Sequence, residues 1–196
     1  MERTTYHFGN LKEVILDEAL NQLKQSDNKD LSFRLIAKKI GVAPSAPYNH
    51  FQSKDHLLQE IMLKGQHTLI ETMKVNKKKS KLPSQQLALI GKAYLNFAIE
   101  QKQLFNLLFS EKNKELLILT NKIVLQFQEI IVNKFKEGKR FRITERGASI
   151  TAWSMVHGLS CIANKVEQKK FEKGIEKALS EIFIEMSAIW GKGVTN

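Results

Sequence analysis

The sequence predicts an all-α fold of about nine helices, and two observations carry that expectation. Almost every segment longer than about ten residues repeats its apolar side chains at three- and four-residue steps, and the strict apolar–polar alternation of strands is missing. At 196 residues the chain can form one domain or two small ones, with a core that needs no staples.

A first helix is expected over residues 10–25, with Leu11, Val14, Ile15, Ala19, Leu20 and Leu23 on one side; the polar run SDNKD ends it. Ser32 precedes the periodic segment FRLIAKKI as an N-cap, since its hydroxyl can accept an orphan N–H of the helix start. Gly41 closes that helix. Ser53 caps a long helix over residues 54–75, whose Leu57, Leu58, Ile61, Met62, Leu69 and Met73 form an apolar stripe. The run NKKKSKLP then marks a boundary: residues 1–53 form an N-terminal module, 54–75 a connecting helix and 76–196 the remainder. Like-charge runs of this kind are solvated linkers more often than phosphate sites.

Beyond Pro83 come SQQLALIGKAYLNFAIE, QLFNLLF and a long helix around NKELLILTNKIVLQFQEIIVNKFKE, with Leu116, Leu119, Ile123, Phe127, Ile130 and Phe135 on one side. KEGKRFRIT separates it from the last two helices, over residues 144–165 and 171–191. The first is rich in small residues, and the second repeats Ile175, Leu179, Ile182, Met186 and Ile189, a pairing suited to close helix packing.

Composition narrows the function classes. The chain has 31 Lys+Arg against 20 Asp+Glu, a net charge of +11, which favours a polyanionic partner such as nucleic acid or an anionic membrane surface. The excess is spread over both halves, so charge alone does not locate a binding face. A single cysteine, Cys161, excludes an internal disulfide framework and a cysteine-rich zinc site, and suits a reduced cytoplasm. The N-terminus lacks the apolar core of a signal peptide, and apolar runs such as LLILT fall short of the roughly 20 residues that span a bilayer. A soluble cytoplasmic protein without a membrane partner is expected. No Gly-rich phosphate loop, GxSxG or HExxH is present, so the expectation is no enzyme, no catalytic residue, no metal and no cofactor.

The segment GVAPSAPYNHFQSKDHLL, Gly41 to Leu58, holds two of the 3 prolines and carries no formal charge from Gly41 to Phe51. With the preceding helix it reads as a helix-turn-helix, two short helices of which the second enters the DNA major groove. The crossing admits only a small side chain, and Ala37 is there; four residues on, the turn needs a residue tolerant of positive φ, and Gly41 is there. Ile36, Ile40 and Val42 supply apolar contacts around the crossing. Pro44 and Pro47 suggest a recognition helix of barely two turns beginning near Pro44, since proline is tolerated in a first helical turn. Ser53 and Lys54 then form a helix entrance where free N–H groups and the helix dipole offer a backbone phosphate a seat.

FRLIAKKIGVAPSAPYNHFQSKDHLL, preceded by YHFGNLKEVILDEAL, resembles the DNA-binding signature of the TetR family of bacterial transcriptional regulators over about Tyr6 to Met73. TAWSMVHGL, with Trp153, His157 and Gly158, resembles the WHG-type C-terminal domain of some members. The resemblance implies a homodimeric DNA-binding regulator with a three-helix N-terminal domain, a long fourth helix, and a C-terminal domain for dimerisation and effector binding. It places Ser32 and Arg34 at phosphate or base edges, and Ala43, Pro44, Ser45 and Ala46 at the groove floor. Tyr48, Asn49 and His50 would meet backbone or base edges, and Lys54 a phosphate. Pro47 departs from the pattern, which favours a branched aliphatic residue.

In the C-terminal half Tyr94, Phe97, Phe105, Phe109, Phe127, Trp153 and His157 could enclose a small hydrophobic effector, or simply fill the core. Ile150, Trp153, Ile175, Leu179, Ile182 and Met186 are expected at a dimer interface, with Cys161 an inert thiol. The expected function is a homodimeric repressor on a palindromic double-stranded operator, released by a small-molecule effector. The alternatives are a regulator without an effector, or a helical dimeric adaptor or ligand-binding protein without a DNA function, which leaves the Tyr-x-His-Phe-x-x-Lys cluster unexplained.

Overall fold

The structure is a computed structural model, and it describes residues 10–25, 31–136, 143–165, 181–185 and 188. Among these residues all regular secondary structure is helical. The order is α1 (Leu11–Gln25), α2 (Phe33–Ile40), a 3₁₀ helix (Ala46–Asn49), α3 (Lys54–Lys77), α4 (Pro83–Glu100), α5 (Lys102–Leu108), α6 (Leu116–Lys136) and α7 (Glu145–Lys165). Residues 181–185 are also helical.

The helix starts follow local chemistry. Ser32 accepts the Leu35 N–H at 3.3 Å, Ser53 accepts the His56 N–H at 3.1 Å, and Thr144 accepts the Gly147 N–H at 3.1 Å, so α2, α3 and α7 each begin on a hydroxyl cap. Pro83 opens α4, where a missing N–H costs nothing. α2 ends at Gly41, which sits at φ 75°, ψ 32° in the left-handed region. The N–H groups of Gly41 and Val42 both bond to the Ala37 carbonyl, closing the turn as a C-terminal cap.

The buried apolar residues form one continuous cluster from Ile15 in α1 to Phe183. Ile15, Leu16, Ala19 and Leu23 are the buried positions of α1, whereas Leu11, Val14 and Leu20 are half-buried. α4 is the central element, packed on α3, α5, α6 and α7. A Cβ on Gly91 would lie 2.6 Å from the Phe183 ring, so glycine is what lets the 181–185 helix seat its aromatic against α4. Asn164, buried in α7, donates through Nδ2 to the carbonyls of Ala98 at 2.8 Å and Lys102 at 3.3 Å, tying α7 to the α4–α5 corner.

The lysine run expected as a solvated boundary is partly tied down: α3 continues to Lys77, whose ammonium pairs with Glu129 of α6. By length and composition α6 is also apolar enough to cross a membrane over Leu116–Asn133, but its Leu119, Ile123, Phe127, Ile130 and Ile131 are buried against the other helices. Of the expected interface residues, Ile150 and Ile182 are exposed and Trp153 is half-buried; Ile175, Leu179 and Met186 lie outside the described residues.

Candidate nucleic-acid interface

The segment after Gly41 is shorter than its sequence suggests. The expected start near Pro44 is corrected to Ala46, and the helix is a single 3₁₀ turn rather than two α-turns. Ala46, Tyr48 and His50 donate N–H to the carbonyls of Ala43, Ser45 and Pro47 at 2.9, 3.1 and 3.1 Å, all to the third residue back. Both prolines lack a donor, and each disfavours α geometry in the residue before it, so Ala43 and Ala46 cannot readily open an α-ladder. Pro47 itself is buried, occupying the place where the resemblance expects a branched aliphatic side chain.

Around this turn the predicted contact residues form a solvent-facing set. Arg34, Ala43, Pro44, Ser45, Tyr48, Asn49, His50 and Lys54 are exposed, while Ser32 and Ala46 are half-buried. Tyr48 is 62% exposed but not loose: its ring meets Phe33 edge-on, with centroids 4.7 Å apart, which leaves the hydroxyl outward. Phe51 is fully buried, with the His56 ring edge-on at 5.8 Å and the Lys12 ammonium 5.9 Å from its centroid. These anchors fix the two ends of an otherwise short loop.

The entrance of α3 is fixed by local hydrogen bonds. Ser53 uses its oxygen on the His56 N–H, and His56 Nδ1 accepts the Gln52 N–H at 3.2 Å, so the chain enters at a set angle. The N–H groups of Lys54 and Asp55 have no acceptor within the helix, Lys54 is exposed, and Asp55 adds a negative charge to the same turn. At the start of α2 the Ser32 oxygen accepts a backbone N–H, which leaves its proton free to donate.

Among the described residues Arg34, Lys38, Lys39 and Lys54 have no carboxylate within ion-pair distance. Lys12 and Lys64, by contrast, pair with Glu60 at 3.2 Å and with Glu13 and Asp17 at 2.7 and 2.8 Å, fastening α1 to α3. Sequence reasoning missed Lys38 and Lys39. The signal lay in their position four residues after Arg34 and Leu35, which puts them on the exposed side of α2.

The sequence between α1 and α3 matches the family described as "Bacterial regulatory proteins, tetR family" over residues 15–61. Residues 15–61 therefore form a DNA-binding domain of the TetR-family kind. It is similar to the uncharacterized HTH-type transcriptional regulator YobS of Bacillus subtilis, 26% identical over 174 residues, 88% of each chain. Its fold resembles that of a protein with unknown function from Rhodococcus sp. RHA1, with a TM-score of 0.80 at 19% identity, covering 99% of this chain and 100% of that one. It also resembles the transcriptional regulator FadR of Bacillus subtilis, solved in complex with stearoyl-CoA: TM-score 0.70, 15% identity, 93% of this chain and 99% of that one.

The seven aromatic and histidine positions expected around an effector separate into groups. Tyr94, Phe105 and Phe127 are fully buried in the core. Phe109, Trp153 and His157 are half-buried beside Tyr94, and Phe97 lines a groove on the other side of α4. Burial pushes the Tyr94 hydroxyl far above its usual range, so it stays protonated, and it shares a hydrogen bond of 2.8 Å with His157 Nδ1. His157 Nε2 lies 3.5 Å from Cys161 Sγ. Burial holds His157 below its usual range, keeping the ring neutral, and pushes the Cys161 thiol up. The buried Trp153 N–H faces the Tyr94 oxygen without reaching good hydrogen-bond geometry.

Proposed function

We propose that this regulator is a homodimeric repressor. Residues 1–53 form its DNA-binding domain, 54–75 the connecting helix and 76–196 the dimerisation and effector domain. The observation that carries the reading is the exposed, unneutralised set Arg34, Lys38, Lys39 and Lys54 around a neutral 3₁₀ turn. The cations hold phosphates, Ser32, Tyr48 and His50 add backbone contacts, and Ala43, Pro44, Ser45, Ala46 and Asn49 face base edges. With so few polar groups on that face, methyl contacts and DNA shape supply much of the specificity.

Two copies joined through α7 and the helix containing Ile182 would set two recognition turns roughly 34–36 Å apart, matching a palindromic operator. Bound there, the dimer blocks a promoter. A small hydrophobic effector in the C-terminal domain releases it by favouring a state with the wrong separation, to the extent of its differential affinity for the two states. That FadR was solved in complex with stearoyl-CoA supports a ligand-responsive regulator, and α3 is the element that carries the change.

Filter binding tests the DNA reading. Lys54→Ala is expected to weaken binding to specific and nonspecific duplexes alike and to reduce the slope of log K against log salt by about one unit. An unchanged slope would take Lys54 out of the contact set, and no salt-sensitive, sequence-preferring binding by the native protein would end the reading.

A further inference from the structure

A groove of about 460 Å³ runs along the outside of the α3–α4 hairpin, away from the aromatic cluster. Thr68, Thr72, Asn76 and Lys79 form one wall, and α4 contributes a floor of Leu89, Ala93 and Phe97 with Lys92, Asn96 and Glu100 along the rim. Among the described residues Lys92, Asn96 and Glu100 make no hydrogen bond or ion pair, so their polar ends are available.

The α3 wall has a definite polarity. Thr68 Oγ1 donates to the Lys64 carbonyl at 2.9 Å, Thr72 Oγ1 to the Thr68 carbonyl at 2.7 Å, and Asn76 Nδ2 to the Thr72 carbonyl at 2.8 Å. Thr68 and Thr72 have spent their hydroxyl protons on the helix and retain oxygen lone pairs, whereas Asn76 Oδ1 already accepts the Lys79 ammonium at 2.8 Å and keeps one further lone pair. Thr68, Thr72 and Asn76 follow one another at four-residue steps, so these acceptors recur about every 6 Å. An extended peptide presents N–H groups on one side at a repeat of about 6.4–6.8 Å.

The ends of the groove are charged oppositely. Lys79 lies in the α3–α4 turn and Lys92 midway along α4, while Glu100 ends α4, about 12 Å beyond Lys92 along the axis. A dianion meets Glu100 as a repulsion, and a polyamine meets the lysines as one. We propose that the groove binds a short linear zwitterion, a peptide of about three residues. Its ammonium lies at Glu100 and Thr68, its amide N–H groups at Thr72 and Asn76, its apolar side chains on Leu89, Ala93 and Phe97, and its carboxylate at Lys92 and Lys79. Such a ligand ties α3 to α4, and α3 begins at the phosphate seat; under the repressor reading it is an effector, and that consequence alone rests on the DNA function.

The test uses the full-length protein without DNA, so its result and that of the DNA-binding assay stand separately. Calorimetric titration compares the tripeptide Leu-Ala-Leu with its N-acetylated form, its C-terminal amide and free leucine. The free tripeptide is expected to bind, and blocking either end to weaken it about fivefold, the scale of one exposed ion pair. Glu100→Gln is expected to lose discrimination against the acetylated form alone, and Lys92→Ala against the amide alone. Both positions are exposed, so neither change disturbs the fold. No binding of the tripeptide, equal binding of the blocked forms, or unchanged discrimination in both variants would overturn the proposal.

Discussion

Ala37→Leu is expected to destabilise the protein by about 1–3 kcal/mol and to lower operator affinity with it, read by urea unfolding and filter binding on the same preparations. Ala37 is fully buried in α2, a helix of only 8 residues that packs on α1 and the 3₁₀ turn. Extra methyl groups there have no void to enter and push α2 away from the turn it must hold. The Ala37 carbonyl also takes the N–H groups of Gly41 and Val42, so a shift of α2 is passed directly to the chain leading into the recognition turn. Ala37→Ser, close in volume, is expected to unfold near the native midpoint and keep DNA binding. A leucine variant with native stability and affinity would move the helix crossing elsewhere.

The positions that sequence reasoning located best are those where one physical demand admits few residue types. Positive φ after α2 admits Gly41, and a helix start admits a hydroxyl, which is why Ser32 and Ser53 could be placed without coordinates. The all-α fold was legible for a related reason: burial repeats every turn, and the apolar residues of α3 and α6 repeat with it. Pro47 was harder because two constraints act at once. A proline fits a first turn, but one three residues after another removes the donors an α-helix needs, and only the fold shows that its ring points inward.

The C-terminal site was less legible, because an aromatic at a helical period fills a core and lines a cavity with the same spacing. Tyr94 and Phe105 could have done either; complete burial assigns them to the core. The groove residues were invisible for the opposite reason. Thr68, Thr72, Lys92, Asn96 and Glu100 look in sequence like solvated helix faces, and only the pairing of α3 with α4 sets one face opposite the other. Lys77 with Glu129, 52 residues apart, is a similar case, since no local pattern announces a partner on another helix.

For the homodimer proposed above, Ile162→Asp is expected to yield monomers in sedimentation experiments and to weaken operator binding by about 100-fold or more, the scale gained when two linked sites bind together. The outer side of α7 carries Ile150, Ser154, Gly158 and Ile162, with Ile162 63% exposed in the single chain and open space where a Gly158 side chain would be. A smooth strip of this kind lets a second helix approach closely, and a carboxylate at its C-terminal end would be buried without a partner on both copies of a two-fold interface. In the monomer the same aspartate faces water and costs little, so folding measured by circular dichroism should be preserved while assembly is lost. Ile182→Asp, exposed on the neighbouring helix, is expected to act in the same direction. Dimers that persist in both variants would place the contact on another face, with the exposed Leu117, Ile118 and Leu125 of α6 next to test.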